Sequence, residues 1–228
     1  VGKIERSITH YLNIKNVRGS DENRNKKGEI MKTYEINNQS ELEQFKDEYG
    51  YKVKGNLDVK CSLDIKKRLY VEGHLYIEAG WYIKAGGYIE AGGYIEAGGS
   101  IEAGGSIEAG GYIKAGGYIE AGGYIKAGGY IKAGGSIEAG WSYGISAGLQ
   151  ITCKDKLTFG LKCFAGICTW RKISDEEKTI TCGKFEGGVV EYGILREIGL
   201  EDSKVKITCE GKEVEISRES AKALNLIK

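Results

Sequence analysis

Six cysteines and two histidines are the residues of this 228-residue chain best suited to nucleophilic, redox or metal chemistry. Cys163 and Cys168 stand in a C-x4-C spacing, with Cys153 upstream and Cys182 downstream. Four thiolates are a composition that holds structural zinc, but the tight C-x2-C knuckle is absent. Cys61, Cys153 and Cys163 fall on the apolar phase of alternating stretches. That phase favours buried free thiols over a disulfide or a metal, so no cofactor is expected. Cys153, Cys163, Cys168 and Cys182 stand only as weak metal candidates. A chain of this length needs no disulfide staples and shows no secretory leader, so the expected compartment is a reducing cytoplasm. The histidines are His10 and His74, and no P-loop, G-x-S-x-G elbow, H-E-x-x-H pair or dinucleotide fingerprint accompanies them. The many glycines lead into no helix and so form no phosphate loop. The residues that do chemistry therefore point away from an enzyme.

Charge narrows the partners. Lys plus Arg number 33 and Asp plus Glu 32, for a net charge of +1. No segment carries a field of one sign, so the phosphate neutralisation that drives nucleic-acid binding has no support. No run of apolar residues reaches the length of a membrane-spanning helix.

The elements that must position any functional residue come from a repeat. Glycine makes up 36 residues and proline none, against an average of about 7% glycine in proteins. Residues 81–140 read as ten consecutive hexads, WYIKAG followed by units of the form GYIEAG, GYIKAG or GSIEAG. Degenerate units extend this upstream through LDVKCS, LDIKKR, LYVEGH and LYIEAG. An aliphatic residue recurs at every sixth position from Val53 to Ile137. Six is a multiple of two and not of 3.6, so the unit is a strand with Ile and Ala on one face and Tyr and Glu or Lys on the other. A meander of hairpins with Gly-Gly turns fails, because Lys84 would face Ile89 across the pair and mix charge with core. Stacked parallel coils avoid this.

The expected fold is an all-β, parallel β-solenoid of triangular cross-section with small α/β flanking caps. Three hexads would make an 18-residue coil, with about five coils in residues 53–140. The core ladder would be Ile83, Ile89, Ile95, Ile101, Ile107, Ile113, Ile119, Ile125, Ile131 and Ile137. Reading every eighteenth residue gives tyrosine columns Tyr76-Tyr94-Tyr112-Tyr130, Tyr82-Ser100-Tyr118-Ser136 and Tyr70-Tyr88-Ser106-Tyr124. It also gives charge columns Lys60-Glu78-Glu96-Lys114-Lys132, Lys66-Lys84-Glu102-Glu120-Glu138 and Glu72-Glu90-Glu108-Lys126. Like charges stack about as often as opposite ones, so ion pairs do not set the register. The first hexad position holds Leu57, Leu63, Leu69 and Leu75, then Trp81, then glycines, then Trp141. If that position faces inward, the core is narrowest in the middle coils.

The central hexads resemble those of left-handed hexapeptide-repeat proteins, many of which are acyltransferases. That resemblance implies a left-handed solenoid and, in the enzymes, a catalytic histidine at a subunit groove beside a loop that interrupts the coils. Here the hexads run uninterrupted and His74 replaces a hexad glycine at an outward position.

Four segments follow: residues 1–50 as an N-terminal β/α cap with a polar loop at 18–29, 51–140 as the regular solenoid, 141–170 as its irregular continuation, and 171–228 as a C-terminal region. KTYEINN reads as a strand. Ser40 and Glu43 form a capping-box pattern that opens a helix over 41–49, ended by Gly50 and able to cover the open end. The period slips by two residues after Gly140. Residues 204–217 read as a hairpin turning at Glu210-Gly211, followed by a capped terminal helix.

The expected function is a non-catalytic solenoid that presents a surface to a protein partner. Tyr76, Tyr82, Tyr88, Tyr94, Tyr112, Tyr118, Tyr124 and Tyr130 are the candidate contact residues. A phage or mobile-element inhibitor of a host enzyme is one such role. Two alternatives stand beside it: a self-assembling scaffold in the general style of the bactofilins, and a hexapeptide-repeat acyltransferase. A homodimer or higher homo-oligomer is compatible with either binding reading.

Overall fold

The computed structural model describes residues 31–198 and the strands Lys204–Cys209 and Lys212–Ser217. The expected polar loop at 18–29, His10 and the terminal helix lie outside the described residues.

The hexad alternation decides the local structure. In Ile83–Ala85, Ile83 and Ala85 are buried and Lys84 is exposed. Each later hexad gives the same three-residue strand, and every isoleucine from Ile83 to Ile137 in the ladder is fully buried. A short strand buries little alone, so each stacks in parallel on the strand one coil away. Ile101 lies between Ile83 and Ile119, and Ile113 between Ile95 and Ile131. That register fixes an 18-residue coil through the regular section. The chain is mostly strand and winds into a parallel β-solenoid of about 8 turns.

Three flat faces result. The first runs from Thr33–Ile36 through Asn56–Val59, Leu75–Ile77, Ile95–Ala97 and onward to Ile194–Glu197. The second holds Leu63–Ile65, Ile83–Ala85, Ile101–Ala103, Ile119–Ala121 and Ile137–Ala139. The third holds Gly50–Val53, Arg68–Val71, Ile89–Ala91, Ile107–Ala109, Ile125–Ala127 and Ile145–Ala147. The long strand Lys156–Ala165 bends from the second face to the third, pairing Leu157 with Ile137 and Cys163 with Ile145. Lys184–Tyr192 follows the same bend one coil later. The ladders thus exceed five coils because Thr33–Ile36 already belongs to the first face and pairing continues past Trp170 to Glu197.

Glycine at the corners is required by close approach. None of the hexad glycines from Gly86 to Gly140 has a positive φ. A Cβ at Gly116 would drive into the carbonyl oxygen of Gly98, one coil below. At Gly135, the second glycine of its pair, a Cβ would meet nothing nearer than 3.5 Å.

The register corrects five column assignments. Leu75 pairs with Ile95 and Ile77 with Ala97, a spacing of 20 residues rather than 18. The two extra residues form a turn at Glu78–Trp81, closed by the Trp81 N–H donating to the Glu78 carbonyl (3.1 Å), with Gly80 at φ 89°. Positive φ at the third turn residue is the requirement of a type II turn. In consequence Tyr76 pairs with Glu96 and leaves the Tyr94-Tyr112-Tyr130 column, where His74 takes its place. Tyr70 pairs with Glu90, not Tyr88, and so Glu72 falls outside the Glu90-Glu108-Lys126 column. Asp64, not Lys66, precedes Lys84. Lys60 and Glu78 likewise fall outside the Glu96-Lys114-Lys132 column. The slip after Gly140 occurs as expected: Ile125 pairs with Ile145, across a second turn in which the Tyr143 N–H donates to the Gly140 carbonyl (2.8 Å).

The same shift corrects the core. Leu57, Leu63, Leu69 and Leu75 are fully buried, but Leu57 stacks on Leu75 and the other three on Ile83, Ile89 and Ile95, not on hexad glycines. Trp81 is 43% exposed and Trp141 74%, so neither brackets the core. The interior still thins toward the middle, because Ile65, Val71 and Ile77 give way to Ala85, Ala91 and Ala97. It widens again at Phe159, which is fully buried.

The N-terminal end is plugged. A 3-10 helix, Gln39–Phe45, replaces the expected 41–49 helix. The capping box does not form: Glu43 accepts instead from Lys46 Nζ (2.7 Å) and the Tyr51 hydroxyl (2.6 Å). Gly50 opens a strand rather than capping a helix. Leu42 is nonetheless fully buried over the first coil, and Phe45 packs edge-on against Tyr34 at 4.9 Å. The hairpin forms as expected, with Val205 opposite Ile216 and Ile207 opposite Val214. Among the described residues no helix is long and apolar enough to cross a membrane.

The glycine geometry yields a paired expectation. Gly116→Ala must push two coils apart and is expected to lower the urea midpoint clearly. Gly135→Ala is expected to leave the midpoint within error or raise it, by lowering the entropy of the unfolded chain. Equal losses from both substitutions contradict the close-approach account.

Candidate functional surface

The cysteines are structural. Cys61, Cys153, Cys163, Cys168 and Cys182 are all free thiols. Cys153, Cys163 and Cys182 are buried among the inward side chains of the last coils. Burial first, and then the Cys182 sulfur nearby, pushes Cys153 and Cys163 each up to about 12. Burial and then Glu197 push Cys182 to about 11. Such thiols carry almost no thiolate at neutral pH. Among the described residues no group of three His, Cys, Asp or Glu is placed to hold a metal ion.

His74 is committed to the stack. Its ring lies 3.8 Å from that of Tyr94, and its Nδ1 accepts the Tyr94 backbone N–H at 3.0 Å. Burial lowers its pKa, which holds the neutral ring with its proton on Nε2.

The tyrosines occupy the corners. Tyr94, Tyr112 and Tyr130 stack at 4.9 and 4.8 Å with rings nearly parallel, which is the coil spacing imposed on aromatic faces. The Tyr112 hydroxyl donates to Glu96, which also pairs with Lys114 at 2.7 Å. These three tyrosines are half-buried, whereas Tyr76, Tyr82, Tyr88, Tyr118 and Tyr124 are exposed. Tyr82 and Tyr118 alternate with serines, and the Ser100 hydroxyl accepts from the Tyr118 N–H at 3.2 Å. The candidates therefore do not form one surface: seven divide among three corners, and Tyr76 alone sits mid-strand on the first face.

Charge is unevenly relieved. Lys84 pairs with Glu102, Lys114 with Glu96 and Lys126 with Glu108. On the second face, Glu120 lies between Glu102 and Glu138. Burial, then Glu102 and Glu138, hold the Glu120 carboxyl above its ordinary range, with Lys84 opposing.

A groove of about 610 Å³ opens on the third face near the C-terminal end. Tyr124, Leu161, Phe164 and Val189 wall it, and Gly144, Gly160 and Gly188 leave its floor bare. Leu161 is 56% exposed and Val189 58%. Two bends build it. A Cβ at Gly160 would collide with the Trp141 carbonyl oxygen, so the strand turns the corner there and throws Leu161 outward. Gly187 and Gly188 do the same one coil later, at the irregularity between Phe159 and Lys162. Exposed apolar residues continue around this end at Tyr143, Ile167, Trp170, Tyr192 and Ile198. These residues lie outside the hexad repeat that carries the tyrosine columns. The available signal was Leu161, an apolar residue directly after a mid-strand glycine.

No family model matches the chain, and neither a curated protein nor a solved structure matches it.

A raised carboxyl favours the fold only while protonated, and that contribution is lost as pH rises through the folded value. Glu120→Gln is expected to raise the urea midpoint at about pH 7, and the gain is expected to vanish below pH 4.5, the ordinary carboxyl value. A neutral-pH midpoint equal to that of the unaltered chain counts against the repulsion.

Proposed function

We propose that this chain is a non-catalytic solenoid that binds a protein partner, with its docking surface on the last coils rather than on the tyrosine lattice. The observation that carries this reading is the grouping of exposed Leu161, Val189 and Tyr124 with Phe164 in the walls of the groove. Contiguous exposed apolar surface on a soluble domain marks an interaction site more often than chance. Aromatic and aliphatic anchors in a recess are the usual centre of a binding interface. The glycine bends hold the groove on rigid strands, so little ordering entropy opposes docking. Its specific form is a small inhibitor, of the kind a phage or mobile element directs against a host enzyme. The plugged N-terminal end, with Leu42 buried, favours this over an end-to-end scaffold.

Two charged substitutions test the surface. Leu161→Asp and Val189→Asp are expected to leave the fold intact, because both side chains already face solvent. Affinity purification from the producing cell should recover a defined partner with the unaltered chain and lose it with either variant. Light scattering on the purified chain is expected to give a discrete small species; long polymers would favour the scaffold instead.

A further inference from the structure

Parallel stacking lines up the outward mid-strand residues of the second face as Asp64, Lys84, Glu102, Glu120, Glu138, Thr158 and Glu186. Basic side chains relieve the two ends of this column. Lys84 pairs with Glu102, while Lys156 and Lys184 pair with Glu186. Glu120 and Glu138, between them, make no ion pair among the described residues. Successive carboxylates sit about 4.8 Å apart, the spacing of neighbouring strands.

Thr158 adds a second, independent feature. Its neighbours Leu157 and Phe159 are fully buried in the core, so strand alternation turns Thr158 outward, into line with Glu138. It is only 4% exposed, and its Oγ1 has no hydrogen-bond partner. A buried hydroxyl left without a partner is uncommon, and here it adjoins Glu138, which makes no ion pair among the described residues and is followed one coil further by Glu120.

We infer that this column is a binding site for an elongated organic polycation, a linear polyamine lying along the solenoid axis with successive ammonium groups on Glu120 and Glu138. A propylene spacer sets two nitrogens four bonds apart, close to the coil spacing, so one ammonium meets each carboxylate. Ammonium groups are donors only, which is what two carboxylates and a bare hydroxyl oxygen require. The carboxylates form a row, which suits a rod of charge rather than a single metal ion. Tyr118, whose hydroxyl lies 3.3 Å from Glu102, stands beside the row and offers an aromatic wall to the methylene groups. The inference does not depend on the protein-binding proposal, since it concerns the other side of a corner and needs only the isolated chain.

Titration of the full-length chain with spermidine, followed by calorimetry and by thermal melting, tests it. Expected are saturable binding, a rise in melting temperature, and weakening with salt. The double variant Glu120→Gln/Glu138→Gln is expected to bind about tenfold more weakly. Glu72→Gln removes the same charge from an exposed site elsewhere and is expected to bind as the unaltered chain does. Thr158→Val is expected to weaken binding while leaving stability equal or higher, because it removes an unpartnered buried hydroxyl. Absence of binding overturns the site. So does equal weakening by Glu72→Gln, which would mark a diffuse counterion atmosphere, or binding of an oligolysine peptide without spermidine.

Discussion

Backbone hydrogen bonding between successive coils is the constraint on which the rest of this structure depends. The Gly116 N–H donates to the Ala97 carbonyl (3.0 Å), and the Ile113 N–H to the Tyr130 carbonyl (2.9 Å). To keep these ladders continuous around a corner, the coils must approach so closely that the Gly98 carbonyl occupies the place of a Gly116 Cβ. Glycine recurs because the coil spacing is fixed and the corner is tight. Proline is missing from the whole chain for a related reason, since a strand interior that lost an N–H would break its ladder.

Once the coils repeat in register, each hexad position is stacked on the same hexad position of the next coil. For isoleucine this is favourable, with each buried side chain contributing about 1.5–3 kcal/mol. For tyrosine it is favourable too, as in the Tyr94-Tyr112-Tyr130 stack. For glutamate it is not. An exposed charge pair is worth only about 0–1 kcal/mol, however, so the isoleucine ladder outweighs several such repulsions. Stacks such as Glu102-Glu120-Glu138 are therefore a tolerated consequence of the repeat. Lys84 relieves Glu102 at one end, and Glu120 and Glu138 are left with no ion pair among the described residues.

Much of this was legible in the residues, and what was not has a physical reason. A period of six with Ile and Ala on one parity admits a solenoid and excludes a meander, and the structure is a β-solenoid. The turn at Ala79–Gly80 was hidden because the aliphatic positions stay six apart on both sides of it. What changes is which apolar pair fills the strand: Leu-x-Val or Leu-x-Ile before, Ile-x-Ala after. That switch was visible, but reading it as a phase change requires knowing that Leu75 stacks on Ile95. The slip after Gly140 was legible because there the isoleucine spacing itself changes, from Ile137 to Ile145. The groove was not, because its walls come from three coils and from two glycine bends that have no periodic signature.

Translational repetition also limits where a specific contact can form. A partner resting on hexads that are alike from coil to coil finds nearly equivalent positions one coil apart, and no contact there favours one register strongly. A unique register requires a feature that occurs once. Near the N-terminus the unique feature, Leu42, is spent on plugging the core. At the other end the bends at Gly160 and Gly187–Gly188 turn Leu161 and Val189 outward into the walls of the groove, and among the described residues no other coil repeats that arrangement. On the proposed binding reading, the regular coils would then serve as a stiff spacer, and recognition would fall to the coils where the repeat breaks down.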